Sequence, residues 1–125
     1  MKLIQNTELY KYLMWVYNEG RYFREIENVI QLHYYLHGYY SAEANVKLDI
    51  QCREGYWIHE FMFFCERQLN IEINNSKEEW VITIGSNYAN YIYANQLSPH
   101  DGLLKVFGYL ELFISTNYLK EFVND

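Results

Sequence analysis

Proline occurs once in the chain, at Pro99, and cysteine twice, at Cys52 and Cys65. Two cysteines without Cys-x-x-Cys spacing are too few for a disulfide framework, so they read as buried thiols of a reducing compartment, with a single disulfide as the alternative. Lys and Arg never cluster, and the counterion release that drives phosphate binding needs a basic face, so direct DNA or RNA binding is not expected. No apolar run approaches the roughly 20 residues of a spanning helix, and none is expected to enter a membrane. There is no glycine-rich phosphate loop and no Gly-x-Ser-x-Gly elbow. The first residues, Met1-Lys2-Leu3-Ile4-Gln5-Asn6-Thr7-Glu8, interrupt any signal-peptide core, and a cytoplasmic location is expected.

What the chain does hold is apolar and aromatic. Hydrophobic residues make up 50% and charged residues 21% of its 125 positions, which places it among folded proteins, and the length suits one domain over 1–125. Aromatics reach 19%, with 14 tyrosines. The formal charge is −6. Much of the acid lies in one stretch, where Glu43, Asp49, Glu54, Glu60, Glu66, Glu72, Glu78 and Glu79 face only Lys47, Arg53, Arg67 and Lys77. Such a field steers a basic partner towards it.

Asn6 or Thr7 can cap a first helix running to about Asn18, with Leu9, Leu13 and Val16 as its inner stripe. A second helix is expected over 22–37, with Ile26, Val29, Ile30, His33 and Leu36 towards one side and Gly38 placed to stop it. Residues 44–52 alternate, with Val46, Leu48, Ile50 and Cys52 on one face, the pattern of a half-buried strand. Residues 56–69 fit a strand or a helix; the helix is preferred, with Phe63 outside its apolar side. Ile71 and Ile73 alternate with Asn70, Glu72 and Asn74 as a short strand or strand-like extension before an Asn75-Ser76-Lys77 turn.

The second half reads as a meander. Trp80-Val81-Ile82-Thr83-Ile84 and Asn90-Tyr91-Ile92-Tyr93-Ala94 are strand-like, with a Gly85-Ser86-Asn87 turn between them. Residues 103–114 satisfy both periods. As a helix, Ser98 and Asp101 form a capping box around Pro99 and the stripe is Leu103, Val106, Phe107, Leu110, Phe113 and Ile114. As a strand, Leu104, Val106, Leu110, Leu112 and Ile114 share a face with Gly108. The strand is preferred because Gly108 costs a helix interior about 1 kcal/mol. With Thr116 capping a short terminal helix, the expected fold class is α+β, an antiparallel sheet of 46–52, 80–84, 90–94 and 103–114 packed with N-terminal helices.

None of the candidate chemistry outweighs its structural explanation. His33 and His37 have the i, i+4 spacing of metal ligands, but no third ligand is identifiable. In Pro99-His100-Asp101-Gly102 the aspartate is accounted for by a turn or a cap. Cys52 or Cys65 with His59 lacks any cysteine-nucleophile motif, and Glu78-Glu79 reads as a solvated turn. No catalytic residue, metal or cofactor is therefore expected. Residues 86–96 instead interleave tyrosine with Asn and Ser, which combines large contact area with adaptable hydrogen bonding. On a strand Tyr91 and Tyr93 would point the same way, opposite Ile92 and Ala94.

The run Tyr109-Leu110-Glu111-Leu112-Phe113-Ile114-Ser115-Thr116-Asn117-Tyr118-Leu119-Lys120-Glu121-Phe122-Val123, read as a last strand passing into a capped helix in a small acidic domain, resembles immunity proteins encoded beside polymorphic or contact-dependent inhibition toxins. The resemblance covers roughly the second half of the chain and carries no diagnostic motif. It implies a non-enzymatic protein that binds one cognate toxin domain, commonly a basic nuclease, and blocks its active site or substrate path. The partner-binding surface expected on this reading comprises Glu72, Glu78, Glu79, Tyr88, Tyr91 and Tyr93. An enzyme of small-molecule metabolism and an aromatic-pocket ligand-binding module are the alternatives.

Overall fold

The computed structural model describes residues 2–19, 26–75, 87–95 and 98–116, and among them lie five α-helices and no strand. The helices are α1 (Glu8–Asn18), α2 (Val29–Asn45), α3 (Ile58–Asn75), α4 (Tyr88–Asn95) and α5 (Pro99–Ser115), with short 3-10 turns at Ile4–Asn6 and Ile50–Cys52. The described architecture is thus all-helical, and the expected α+β fold with its antiparallel sheet is corrected. The expected strand over 80–84 and the terminal helix beyond Thr116 lie outside the described residues.

The first helix forms where its signals stand. Thr7 Oγ1 accepts the Tyr10 N–H at 3.3 Å, and Leu9, Leu13 and Val16 are buried. A second acceptor reaches in from far along the chain, because Glu54 Oε2 takes the Glu8 N–H at 2.7 Å. The Trp57 indole N–H closes this node on Thr7 Oγ1 at 3.3 Å and on the Glu54 carbonyl at 3.1 Å. Burial pushes the Glu54 carboxyl up, but the Lys2 ammonium and the Glu8 N–H outweigh it and hold it below the usual carboxylate range.

In the second helix Gly38 does not act as a stop. Asn28 caps it, its side chain accepting the Gln31 N–H at 2.9 Å, and the helix continues through Gly38 to Asn45. A Cβ at Gly38 would meet open space, so the residue costs the helix about 1 kcal/mol and nothing more. Val29, Leu32 and Leu36 carry the buried face. The alternating run after it makes no sheet: Val46, Leu48, Ile50 and Cys52 are all exposed, Val46 at 68%. Alternation describes a strand only where another strand satisfies its backbone, and none is adjacent among the described residues.

The third helix begins at Ile58 and runs unbroken through Ile71 and Ile73 to Asn75, which corrects the strand-like reading of that extension. Its inner side is Ile58, Phe61, Phe64, Cys65 and Leu69.

The fifth helix decides the fold, and its correction has a magnitude. A strand would put Leu103, Phe107 and Phe113 on the face opposite Val106 and Leu110; the helix buries all five together. Three further large side chains at roughly 1.5–3 kcal/mol each exceed the ~1 kcal/mol of Gly108, which sits on the solvent side with nothing within 4 Å. Ser98 Oγ accepts the Asp101 N–H at 3.2 Å and Pro99 opens the first turn, so the start signals are those of a helix. At the far end Thr116 closes α5, its N–H bonding the Leu112 carbonyl at 3.1 Å.

The core sits where α3 and α5 meet, with Phe61 and Phe64 against Phe113 at ring-centroid distances of 5.4 and 5.2 Å. Tyr17 of α1 joins through Phe107 at 4.8 Å. The short α4 lies against α2, α3 and α5, burying Tyr88, Ala89 and Ile92.

A candidate binding recess where three helices meet

Residues of α2, α3 and α4 enclose an open recess of about 210 Å³ lined by His33, His59, Met62, Phe63, Glu66 and Tyr88. The helical period explains the grouping: His59, Met62, Phe63 and Glu66 fall at spacings of three and four along α3 and share one side of it. Tyr88 forms the floor, 1% exposed, and meets the His33 ring edge-on at 5.3 Å.

Below the apolar walls lies a polar node. His33 Nδ1 is 3.2 Å from Tyr88 Oη, and the Asn87 amide nitrogen is 3.1 Å from His33 Nε2. Asn87 also caps α4, its Oδ1 accepting the Asn90 N–H at 3.1 Å. Glu66 supplies another acceptor to the same helix start, Oε1 taking the Tyr88 N–H at 2.6 Å. Burial, and then the neighbouring His37, lower the His33 pKa from its ordinary value. Burial likewise pushes the Tyr88 phenol and the Cys65 thiol well up.

At the rim, Tyr40 stacks on His59 with centroids 3.7 Å apart, and the Tyr34 ring lies 5.6 Å from His33. Phe63 is 61% exposed and Tyr34 67%. Both His33 nitrogens are engaged with α4, so an incoming group meets mainly carbon: Met62, Phe63 and the ring faces. Chemically the arrangement suits desolvation of an apolar or aromatic group, not proton transfer to it.

The residues expected to bind a partner are placed apart. Tyr88 is the buried floor, Tyr91 is half-buried against the core, and Tyr93 is 51% exposed. On α4 residues two apart are about 200° apart around the axis, so Tyr91 and Tyr93 do not share a face as a strand would have them. Glu72 pairs with Lys105 at 2.6 Å and accepts the Tyr109 hydroxyl at 2.8 Å. Glu78 and Glu79 lie outside the described residues.

His33 and His37 stand with ring centroids 6.3 Å apart, and among the described residues no group of three or more His, Cys, Asp or Glu is gathered for a metal. Asp101 lies in the first turn of α5, where its backbone N–H donates to Ser98 Oγ at 3.2 Å. Of the two thiols, Cys65 is buried as expected and Cys52 is exposed, which corrects its reading; both are free. Sequence reasoning missed the recess, although it held one signal: Phe63 is the apolar residue that does not fit the inner stripe of its helix. In comparisons with known proteins, no family model, no curated protein and no solved structure matches this chain.

Proposed function

We propose that the protein is a non-enzymatic binding protein of the immunity type, which neutralises a basic toxin domain by docking it over the α2–α3–α4 recess. The observation that carries the reading is the exposed Phe63 beside an apolar-walled recess on a chain of net charge −6. An aromatic anchor next to a desolvated hollow has the character of an interface hot spot, and an acidic field draws in a basic partner. The recess is smaller than the ~300 Å³ at which drug-sized ligand sites begin, and a single protein side chain suits it better than a free metabolite.

The surface is revised accordingly. Phe63, Tyr34 and Tyr93 offer exposed ring area, whereas Tyr88 acts from beneath as support. Binding kinetics with the cognate basic domain provide the test. Phe63→Ala should speed dissociation by about 30-fold, the effect of a ~2 kcal/mol hot spot, with little change in association rate. Unaltered kinetics in a folded Phe63→Ala variant would remove the recess from the interface. A small ligand that raises the melting temperature, with no protein bound, would overturn the immunity reading itself.

A further inference from the structure

The start of α4 is tied down by an arrangement that works in only one protonation state of one histidine. Asn87 Oδ1 is committed to the Asn90 N–H at 3.1 Å, which fixes the orientation of the amide and turns its NH₂ towards His33 Nε2, also at 3.1 Å. An amide NH₂ only donates, so Nε2 must be an unprotonated acceptor, and the ring proton sits on Nδ1, donated to Tyr88 Oη at 3.2 Å. We propose that His33 is a proton-operated latch: protonation at Nε2 sets two donors against each other and frees the N-terminus of α4 from α2. The conflict has two resolutions. If the Asn87 amide turns over to present Oδ1 to the imidazolium, the Asn90 N–H loses its cap; if it does not, residue 87 moves away from His33 and the first turn of α4 loses its anchor on α2. In either case the amides of that turn lose protection.

The groups around His33 determine how the latch responds. On its own helix His37 stands 6.3 Å away between ring centroids and opposes a second positive charge. From α4 the Tyr88 phenol faces it and remains neutral at ordinary pH, because burial pushes its pKa up. From α3, His59 and Glu66 line the same recess. His59 adds repulsion when it is protonated. The Glu66 carboxylate attracts an imidazolium, but its Oε1 is the acceptor for the Tyr88 N–H at 2.6 Å, so any swing towards His33 loosens the other anchor of the same helix. The latch is closed above the ordinary histidine pKa of about 6.5 and opens as the pH falls below it. It is a property of the fold and holds whatever the recess binds.

Nuclear magnetic resonance of the full chain tests it directly. At pH 7.5 the ¹⁵N shifts of His33 should report the Nδ1–H tautomer. Amide exchange at Asn90 and Tyr91, corrected for intrinsic rates, should then quicken about fivefold as His33 titrates, the loss expected for one N-cap, while Leu13 in α1 keeps its protection. The same response should persist in His37→Gln. Asn87→Asp keeps a good cap but sets a carboxylate towards Nε2, so the His33 pKa should rise above its ordinary value and acidification should no longer loosen α4. An Nε2–H tautomer at neutral pH, or protection at Asn90 and Tyr91 that is unchanged through the His33 titration, would overturn the proposal in the unmodified protein. A folded Asn87→Asp variant with no rise in the His33 pKa would do the same.

Discussion

The Glu43 carboxylate, near the end of α2, accepts the backbone N–H of Gly55 at 2.8 Å, and its other oxygen accepts that of Glu54 at 2.8 Å. One side chain thereby supplies both acceptors of the turn that leads into α3. Glu43→Gln keeps one acceptor oxygen and turns an NH₂ towards the other donor, so a loss of about 1–3 kcal/mol is expected in chemical denaturation. Glu43→Ala should cost at least as much.

Gly55 is required there for space. A Cβ at this position would stand 2.6 Å from Ile58 Cδ1, 2.9 Å from Tyr39 Cδ1 and 3.1 Å from Glu43 Oε1. Ile58 is fully buried and Glu43 is held by its bonds, so neither yields freely. Gly55→Ala should destabilise by about 1–3 kcal/mol, measurable as a lower urea midpoint at unchanged slope.

The two mid-helix glycines behave in the opposite sense. At both Gly38 and Gly108 a Cβ would meet nothing within 4 Å. Gly38→Ala and Gly108→Ala should each stabilise by about 0.5–1 kcal/mol and raise the melting temperature, because alanine lowers the entropy of the unfolded chain at no steric cost in a helix. A lower melting temperature for Gly108→Ala would contradict the open space found around this residue.

Neighbouring phenylalanines on α3 separate folding from binding. Phe61 is 1% exposed and packs on Phe113, so Phe61→Ala should cost about 3–5 kcal/mol. Phe63→Ala, at a ring 61% exposed, should lie within about 0.5 kcal/mol of the parent in thermal unfolding.

Alkaline pH should unfold the domain through its interior tyrosines. Burial, and then the hydrogen bond to Glu72, push the Tyr109 phenol far above its ordinary value of 10.0, and burial does the same to Tyr88. A phenol whose pKa is raised by folding contributes stability in full below the unfolded pKa near 10 and loses it as the pH rises beyond. Absorbance at 295 nm should show Tyr88 and Tyr109 ionising only with loss of the helical signal.

Much of the local structure was legible in the residues. The Thr7 cap, the Leu9, Leu13 and Val16 stripe, helix in the stretch from Ile58 to Leu69 and even the rejected helical stripe of 103–114 follow from spacing and capping chemistry. These signals act within a few residues of themselves, so one sequence contains them whole. The recess is not legible in this way. As strand neighbours Tyr91 and Tyr93 would share a face, whereas α4 separates them, and the recess draws on residues as far apart as His33 and Tyr88.

Composition, charge and capping were determined by the sequence alone: a chain rich in tyrosine and acidic, with helices where Thr7 and Ser98 precede an apolar stripe. Only the tertiary structure decided between strand and helix at 103–114. Both periods fit that run, and the choice rests on whether Phe107 and Phe113 have aromatic partners on α1 and α3 and Leu103 a core to bury in. It also decided the state of His33. The imidazole is an ordinary helix-face residue until Asn87, 54 positions away and already committed to capping α4, requires its Nε2 to be an acceptor. Hydrogen-bond direction of that kind is set by the partner's other obligations, and those exist only after the helices have packed.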